Sequence, residues 1–278
     1  MMRFMRFDAE DSSSSSVSST PNAVAARRVN FRAMHDRGFF VLPNPWDLGG
    51  VRRLERLGFR ALASTSAGYA WSLGVDDREL TIEQVLDHLR WLNATTTLPI
   101  NADFENGYAE RPEDVAVNVG RAAETGVAAL SIEDLGDDDL YDLQLAVERI
   151  RAAREALDAI DPNIVLVGRS EGHLIGRDDL HGTIERLVAY AEAGADCLYA
   201  PGIRTDDQIA AIVAAVAPKA VNVLFRSASM TSDRLAALGV RRASVGSLLA
   251  KASWRAFDDA ATKLVSDGSL PVRLFEEA

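Results

Sequence analysis

A single (β/α)8 barrel of the TIM type, an α/β fold, is the architecture that the sequence predicts, and three observations carry it. The chain has 278 residues, close to the ~250 typical of such barrels in one piece. Eight short apolar, β-rich runs alternate with longer stretches of helical period, the pattern that builds parallel sheets. Several helical stretches close on glycine just before an apolar strand, as in Leu57-Gly58-Phe59, Thr125-Gly126-Val127, Ala193-Gly194-Ala195 and Leu238-Gly239-Val240. Glycine there accepts the left-handed backbone that turns the chain back into the sheet. Neither an edge strand nor a dinucleotide fingerprint is evident, which favours a closed barrel over an open doubly wound sheet.

In chain order, Met1 to Thr20 carries two arginines and a serine run with no apolar stretch of signal-peptide length. Residues 1–22 are expected to be a disordered tail, and 23–278 a single barrel domain. The expected strands are Phe39–Leu42, Ala61–Ser64, Leu98–Ala102, Ala129–Ile132, Ile164–Val167, Cys197–Ala200, Val221–Phe225 and Ala243–Val245. Helices are expected over Ile82–Asn93, Pro112–Thr125, Leu143–Leu157, Leu180–Ala193 and Asp206–Ala215. Thr81, Thr205 and Asp206 can cap, and Pro112 suits a first helical position.

Composition narrows the function. Apolar residues make up 47% and charged residues 26% of the chain, enough to bury a sizeable core. A net charge of -11 without a cluster of Lys and Arg excludes a nucleic-acid or anionic-membrane surface from expectation. The single cysteine, Cys197, cannot form an intrachain disulfide, and the natural compartment is the reducing cytoplasm. Cys197 lies in the apolar run Cys-Leu-Tyr-Ala and is expected to be a core residue. No window approaches the ~20 apolar residues of a membrane helix.

A barrel does its chemistry at the C-terminal ends of its strands, and polar residues collect there. They include Asn44 and Asp47, Ser64 to Gly68, Asn101 to Tyr108, Glu133-Asp134, Arg169 to Glu171, Pro201-Gly202 and Asn222. In an extended segment Asp103 and Glu105 project to one side, and Glu133 on the next strand would join them. Three crowded carboxylates repel one another unless a cation sits between them. Oxygen ligands without His or Cys suit Mg2+, with Mn2+ as the alternative. Two readings stand for Arg169: a salt bridge to those carboxylates, or a clamp on a substrate carboxylate. The Ser66-Ala67-Gly68 turn offers a hydroxyl and N–H groups for a second hold.

With these motifs the chain resembles the isocitrate lyase and phosphoenolpyruvate mutase superfamily from about Arg37 to Ala252. The resemblance rests on Asn44-Pro45-Trp46-Asp47, Thr65-Ser66-Ala67-Gly68, Ser72-Leu73-Gly74, Asp103-x-Glu105-x-Gly107-Tyr108, Ile132-Glu133-Asp134 and Gly168-Arg169-Ser170. It implies Mg2+ among Asp77, Asp103, Glu105 and Glu133. A 2-oxo acid would chelate the ion while Ser66, Ala67 and Arg169 hold its carboxylate and Asn222 adds a polar contact. It also implies a C-terminal helix exchanged between partners in homodimers or homotetramers.

Two departures bear on the reaction. Glu105-Asn106 stands where the family usually has Asp-Thr. After Ile-Glu-Asp, lyases of the family carry a Lys-Lys-Cys-Gly-His loop whose Cys is the acid/base group, whereas this chain has Leu135-Gly136-Asp137-Asp138-Asp139-Leu140-Tyr141. The expectation is therefore a Mg2+-dependent lyase or hydrolase that cleaves a carbon-carbon bond in a small 2-oxo acid or dicarboxylate through a metal-stabilised enolate. Asp77, Glu171 or His173 would move protons. Carbon-phosphorus chemistry ranks second, because three loop aspartates would repel a phosphonate. A 2-oxo acid binder without turnover is the rival from another class.

Overall fold

The computed structural model describes residues 20–275. Helix α1 (Pro21–Ala33) precedes β1 (Phe40–Leu42) and α2 (Leu48–Arg56). Strand β2 (Leu62–Ala63) is followed by α3 (Ser66–Ser72) and α4 (Ile82–Thr95), β3 (Ile100–Asp103) by α5 (Pro112–Glu124), and β4 (Ala129–Glu133) by α6 (Leu143–Ile160). The rest alternates one to one: β5 (Val165–Arg169), α7 (Leu180–Glu192), β6 (Cys197–Tyr199), α8 (Asp206–Val216), β7 (Ala220–Leu224), α9 (Ser232–Ala237), β8 (Arg242–Ser244) and α10 (Leu248–Asp267).

All ladders are parallel, in the order β1-β8-β7-β6-β5-β4-β3-β2. The seam between β1 and β2 is closed where the Ala63 N–H donates to the Pro43 carbonyl at 3.0 Å. This is the (β/α)8 barrel expected. The helix starts follow their chemistry: Thr81 and Thr205 each form a capping box, and Pro112 opens α5. Gly58, Gly126, Gly194 and Gly239 all have positive φ, as the repeated helix-to-strand phrase requires.

Alternation along the strands builds two apolar layers. Outward residues such as Ala102, Ile132, Leu166, Leu198 and Val223 pack against Val119, Ile150, Leu187 and Ile212 of the helices. Inward residues including Phe40, Leu42, Val165, Val167, Cys197 and Ala220 fill the barrel. Each fully buried Val, Leu or Ile contributes roughly 1.5–3 kcal/mol. Cys197 belongs to this interior, and burial pushes its thiol above the ordinary range.

Several boundaries differ from expectation by one to three residues, and three of them matter most. Thr20 caps α1 and Pro21 occupies its first turn, so order starts two residues before the expected domain start; residues 1–19 of the expected tail lie outside those described. Strand β3 runs to Asp103 and β8 begins at Arg242, which draws both polar side chains into the sheet.

Helix α1 lies across the N-terminal ends of the strands. Arg27 donates to the carbonyls of Asn93 and Thr96, Arg28 to those of Val127 and Ala123, and Arg32 grips both oxygens of Asp196. Helix α10, by contrast, buries only Ala250 and leaves Trp254, Phe257, Leu264 and Val265 exposed. Among the described residues no helix is long and apolar enough to cross a membrane.

Candidate active site

A cavity of about 250 Å³ opens at the C-terminal ends of the strands and descends into the barrel. Of the residues expected there, Ser66, Ala67, Asp77, Asp103, Arg169 and Asn222 line it. Gly68 does not. It is buried, its N–H donates to Thr65 Oγ1 at 3.3 Å, and a Cβ there would lie 2.8 Å from Thr65 Cγ2. Its role is to let α3 approach β1.

Asp103 is the hub. Its Oδ2 accepts from both the N–H and the Oγ of Ser66, each at 3.1 Å. Its Oδ1 accepts from Arg169 Nη1 at 3.0 Å, and its own N–H donates to Ser64 Oγ at 2.8 Å. Asp77 lines the same cavity at its rim, where desolvation, and then the charge of Asp103, raise its carboxyl.

Arg169 realises the ion-pair reading threefold. Nη1 reaches Asp103 and, at 3.3 Å, Glu133, while Nε donates to Glu171. The guanidinium lies 5.4 Å from the centre of the Tyr199 ring. Nη2 meets no protein acceptor among the described residues, and the side chain lines the cavity. The clamp reading therefore keeps one free donor edge. Burial raises the Glu133 carboxyl well above its usual range against the opposing charge of Arg169, and Glu171 is raised for the same first reason. Glu171 sits beneath Arg169 rather than in the cavity, with its N–H on Asp134 Oδ1 at 2.8 Å.

Glu105 lies outside the lining of that cavity but stays within reach of the charge of Asp103. The strand ends at Asp103, and the Gly107 N–H closes a turn on the Phe104 carbonyl at 2.9 Å. Period-two alternation therefore stops before Glu105, whose φ is 43°. Its Oε1 accepts from Tyr108 Oη at 2.9 Å, and it lines a neighbouring cavity of about 590 Å³. Burial, and then the charge of Asp103, push its carboxyl up to about 7. Among the described residues no three His, Cys, Asp or Glu side chains group so as to hold a metal ion directly.

The acidic loop is a pinned hairpin. Leu135 and Leu140 form a bridge, Arg78 donates to the Gly136 carbonyl at 2.6 Å, and Arg177 pairs with Asp139. Asp137, Asp138 and Asp139 line the neighbouring cavity with Glu105, not the one at Asp103. His173 is also outside the main cavity, with Nδ1 3.1 Å from Asp178.

Asn101, already among the polar residues expected at the end of β3, lines the main cavity, and sequence reasoning missed Tyr199, Arg226, Arg242 and Lys251, which line it too. Asn101 and Arg242 occupy inward positions two residues before Asp103 and Ser244, so period-two parity within the strands was the available signal.

Carboxylates, an arginine and small hydroxyl residues thus surround a polar cavity at the strand ends, the place where barrels of this kind carry their active sites. The chain belongs to the phosphoenolpyruvate phosphomutase family, whose profile it matches over residues 31–265. It is 46% identical to a Burkholderia cenocepacia J2315 protein named as a candidate lyase/mutase, with a TM-score of 0.87 over 89% of this chain and 91% of that one. An oxaloacetate decarboxylase of Rhodopseudomonas palustris (strain BisB5) is 32% identical over 89% of this chain and 88% of its own. The structure of an oxaloacetate acetylhydrolase with its product oxalate superposes with a TM-score of 0.80 at 26% identity, covering 91% of this chain and 93% of that one. The chain is thus an enzyme of the isocitrate lyase and phosphoenolpyruvate mutase superfamily, whose members are lyases or mutases.

Proposed function

We propose that the chain is a Mg2+-dependent lyase or hydrolase that cleaves a carbon-carbon bond in a small 2-oxo acid or dicarboxylate. The observation that carries this reading is the convergence of Asp103, Arg169 and Ser66 on one cavity. Oxaloacetate is the substrate in the names of two of the relatives above, and it supports the substrate class.

The donor set fits a hard ion: Asp77, Asp103 and Glu133 offer only carboxylate oxygen, and Arg169 alone offsets their charge from within the cluster. Since no three of them group for direct ligation, Asp103 would hold Mg2+, or Mn2+, with Asp77, Glu133 and Glu105 acting through waters. A bound ion supplies positive charge where the negative charge of an enolate develops. Arg169 Nη2, Ser66 Oγ and Ala67 N–H hold and orient the substrate carboxylate. Glu171 fixes Arg169 through Nε, and Glu133 fixes it through Nη1. Asp77 is the rim carboxylate placed to hold or deliver a proton, in place of the loop cysteine.

A second reading, carbon-phosphorus chemistry, gains from one observation. The loop aspartates expected to repel a phosphonate line the neighbouring cavity, while Arg226 and Lys251 line this one. The exposed apolar face of α10 supports exchange of that helix between subunits of a homodimer or homotetramer, testable by light scattering.

Purified protein with Mg2+ is to be offered oxaloacetate, other 2-oxo acids and phosphonopyruvate, following pyruvate and phosphate release separately. Carbon-carbon cleavage without phosphate release is expected. Phosphate release promotes the second reading, and binding without any product favours a binder. Asp103→Ala should abolish the Mg2+ dependence of 2-oxo acid binding; unchanged dependence removes the metal assignment.

A further inference from the structure

Arg242, at the start of β8, is a guanidinium only 2% exposed, and it lines the inner part of the cavity. Nε donates to Asn222 Oδ1 at 3.1 Å, and Nη1 to Asn101 Oδ1 at 3.0 Å and His35 Nε2 at 3.3 Å. Each partner is locked so as to present a neutral acceptor. The Asn222 amide nitrogen donates to Ser244 Oγ at 3.0 Å and that of Asn101 to the Ala102 carbonyl at 2.9 Å. The His35 Nδ1–H donates to the Phe31 carbonyl at 2.8 Å, which leaves Nε2 as the acceptor. No carboxylate pairs with Arg242 among the described residues, and its Nη2 meets no protein acceptor there.

Of the arginines that line the cavity, Arg169 and Arg242 are therefore held in opposite states. Arg169 faces three carboxylates; Arg242 faces none. An unpaired buried charge costs several kcal/mol, and arginine does not escape by losing its proton. Three neutral acceptors satisfy hydrogen bonds without supplying a counter-charge. The free Nη2 edge and the open cavity beside it are the shape of a site for an anion.

We propose that Arg242 forms an anion subsite deep in the cavity that takes the second carboxylate of a short 2-oxo dicarboxylate, whose 2-oxo acid end lies at Asp103, Ser66 and Arg169. This rests on the 2-oxo acid reading above. Asp103 stands two residues beyond Asn101 on β3, about 6–7 Å further along the strand. A dicarboxylate of about four carbons spans that interval. The subsite selects dicarboxylates over monocarboxylates, and Asn101, Asn222 and His35 are its positioning residues.

The test compares oxaloacetate, its C4 monomethyl ester and pyruvate, binding to the Mg2+-loaded full chain being read by tryptophan fluorescence within the mixing time. Wild-type protein should bind oxaloacetate at least about tenfold more tightly than the ester, a charge-assisted contact being lost. Arg242→Gln should bring that ratio close to one and leave pyruvate affinity within about twofold. Equal wild-type affinities for oxaloacetate and ester overturn the subsite without any variant, as does a ratio that survives in Arg242→Gln. Should that variant not fold, Asn101→Asp places a carboxylate against Nη1 and should lower the ratio in the same way; an undiminished ratio overturns the proposal. Binding of pyruvate without discrimination removes the subsite alone, whereas no binding of any 2-oxo acid removes the functional reading and the subsite with it.

Discussion

Tyr190 Oη donates to Asp134 Oδ2 at 2.6 Å, joining the last turn of α7 to the residue after β4. Asp134 is only 2% exposed, and it also accepts from Arg186 at 3.3 Å and from the Glu171 N–H at 2.8 Å. The last residue of the Ile-Glu-Asp motif is thus an anchor behind the site. A hydrogen bond to a buried charged acceptor contributes about 1.5–3 kcal/mol. Tyr190→Phe should lower the unfolding free energy by about that amount in urea denaturation, with ligand affinity nearly unchanged.

Arg169 offers a planar fork to three carboxylates at once, a geometry that lysine cannot copy. Arg169→Lys should weaken 2-oxo acid binding by at least about tenfold, measured by titration calorimetry with Mg2+ present. Retention of full affinity would exclude Arg169 from the substrate contact.

His88 is held neutral. It is 4% exposed, hydrogen-bonded through Nε2 to the Trp46 carbonyl at 3.0 Å, and stacked 3.7 Å from Tyr69. Burial lowers its pKa from 6.5 to about 4. The unfolded chain therefore binds more protons between these values, and the stability present above pH 6.5 falls as the pH drops towards about 4. The loss from this group is roughly 3 kcal/mol. Denaturation midpoints of wild type and His88→Gln across this range should converge on acidification; parallel curves contradict the assignment.

Gly168 faces outward on β5, where a Cβ would lie 2.9 Å from Tyr190 Cβ and 3.2 Å from Ala195 Cβ. Overpacking of this kind costs about 1–3 kcal/mol. Gly168→Ala should show that loss in thermal unfolding and should also weaken substrate binding, because the next residue is Arg169.

The fold was legible because the units carry overlapping local marks: an apolar run in every one, a capping Thr or first-turn Pro in several, and a closing Gly at Gly58, Gly126, Gly194 and Gly239. The convergence of Ser66, Asp103 and Arg169 followed from one rule, that barrel strands deliver side chains at their C-terminal ends. Glu105 was expected on the same side as Asp103, but alternation holds only while the chain stays extended, and the chain turns at Phe104. Arg242 escaped because Arg241-Arg242 reads as a charged helix-to-strand junction. Only the register with Phe40 and Asn222 places the second arginine inside the barrel.

Among the described residues helix α1, strapped across the strand starts by Arg27, Arg28 and Arg32, floors the barrel, and the cavity opens at the opposite end. Whatever fragments cleavage leaves inside must depart by the route the substrate took. The fragment nearer the rim goes first, and the one held lower governs when the next molecule can enter.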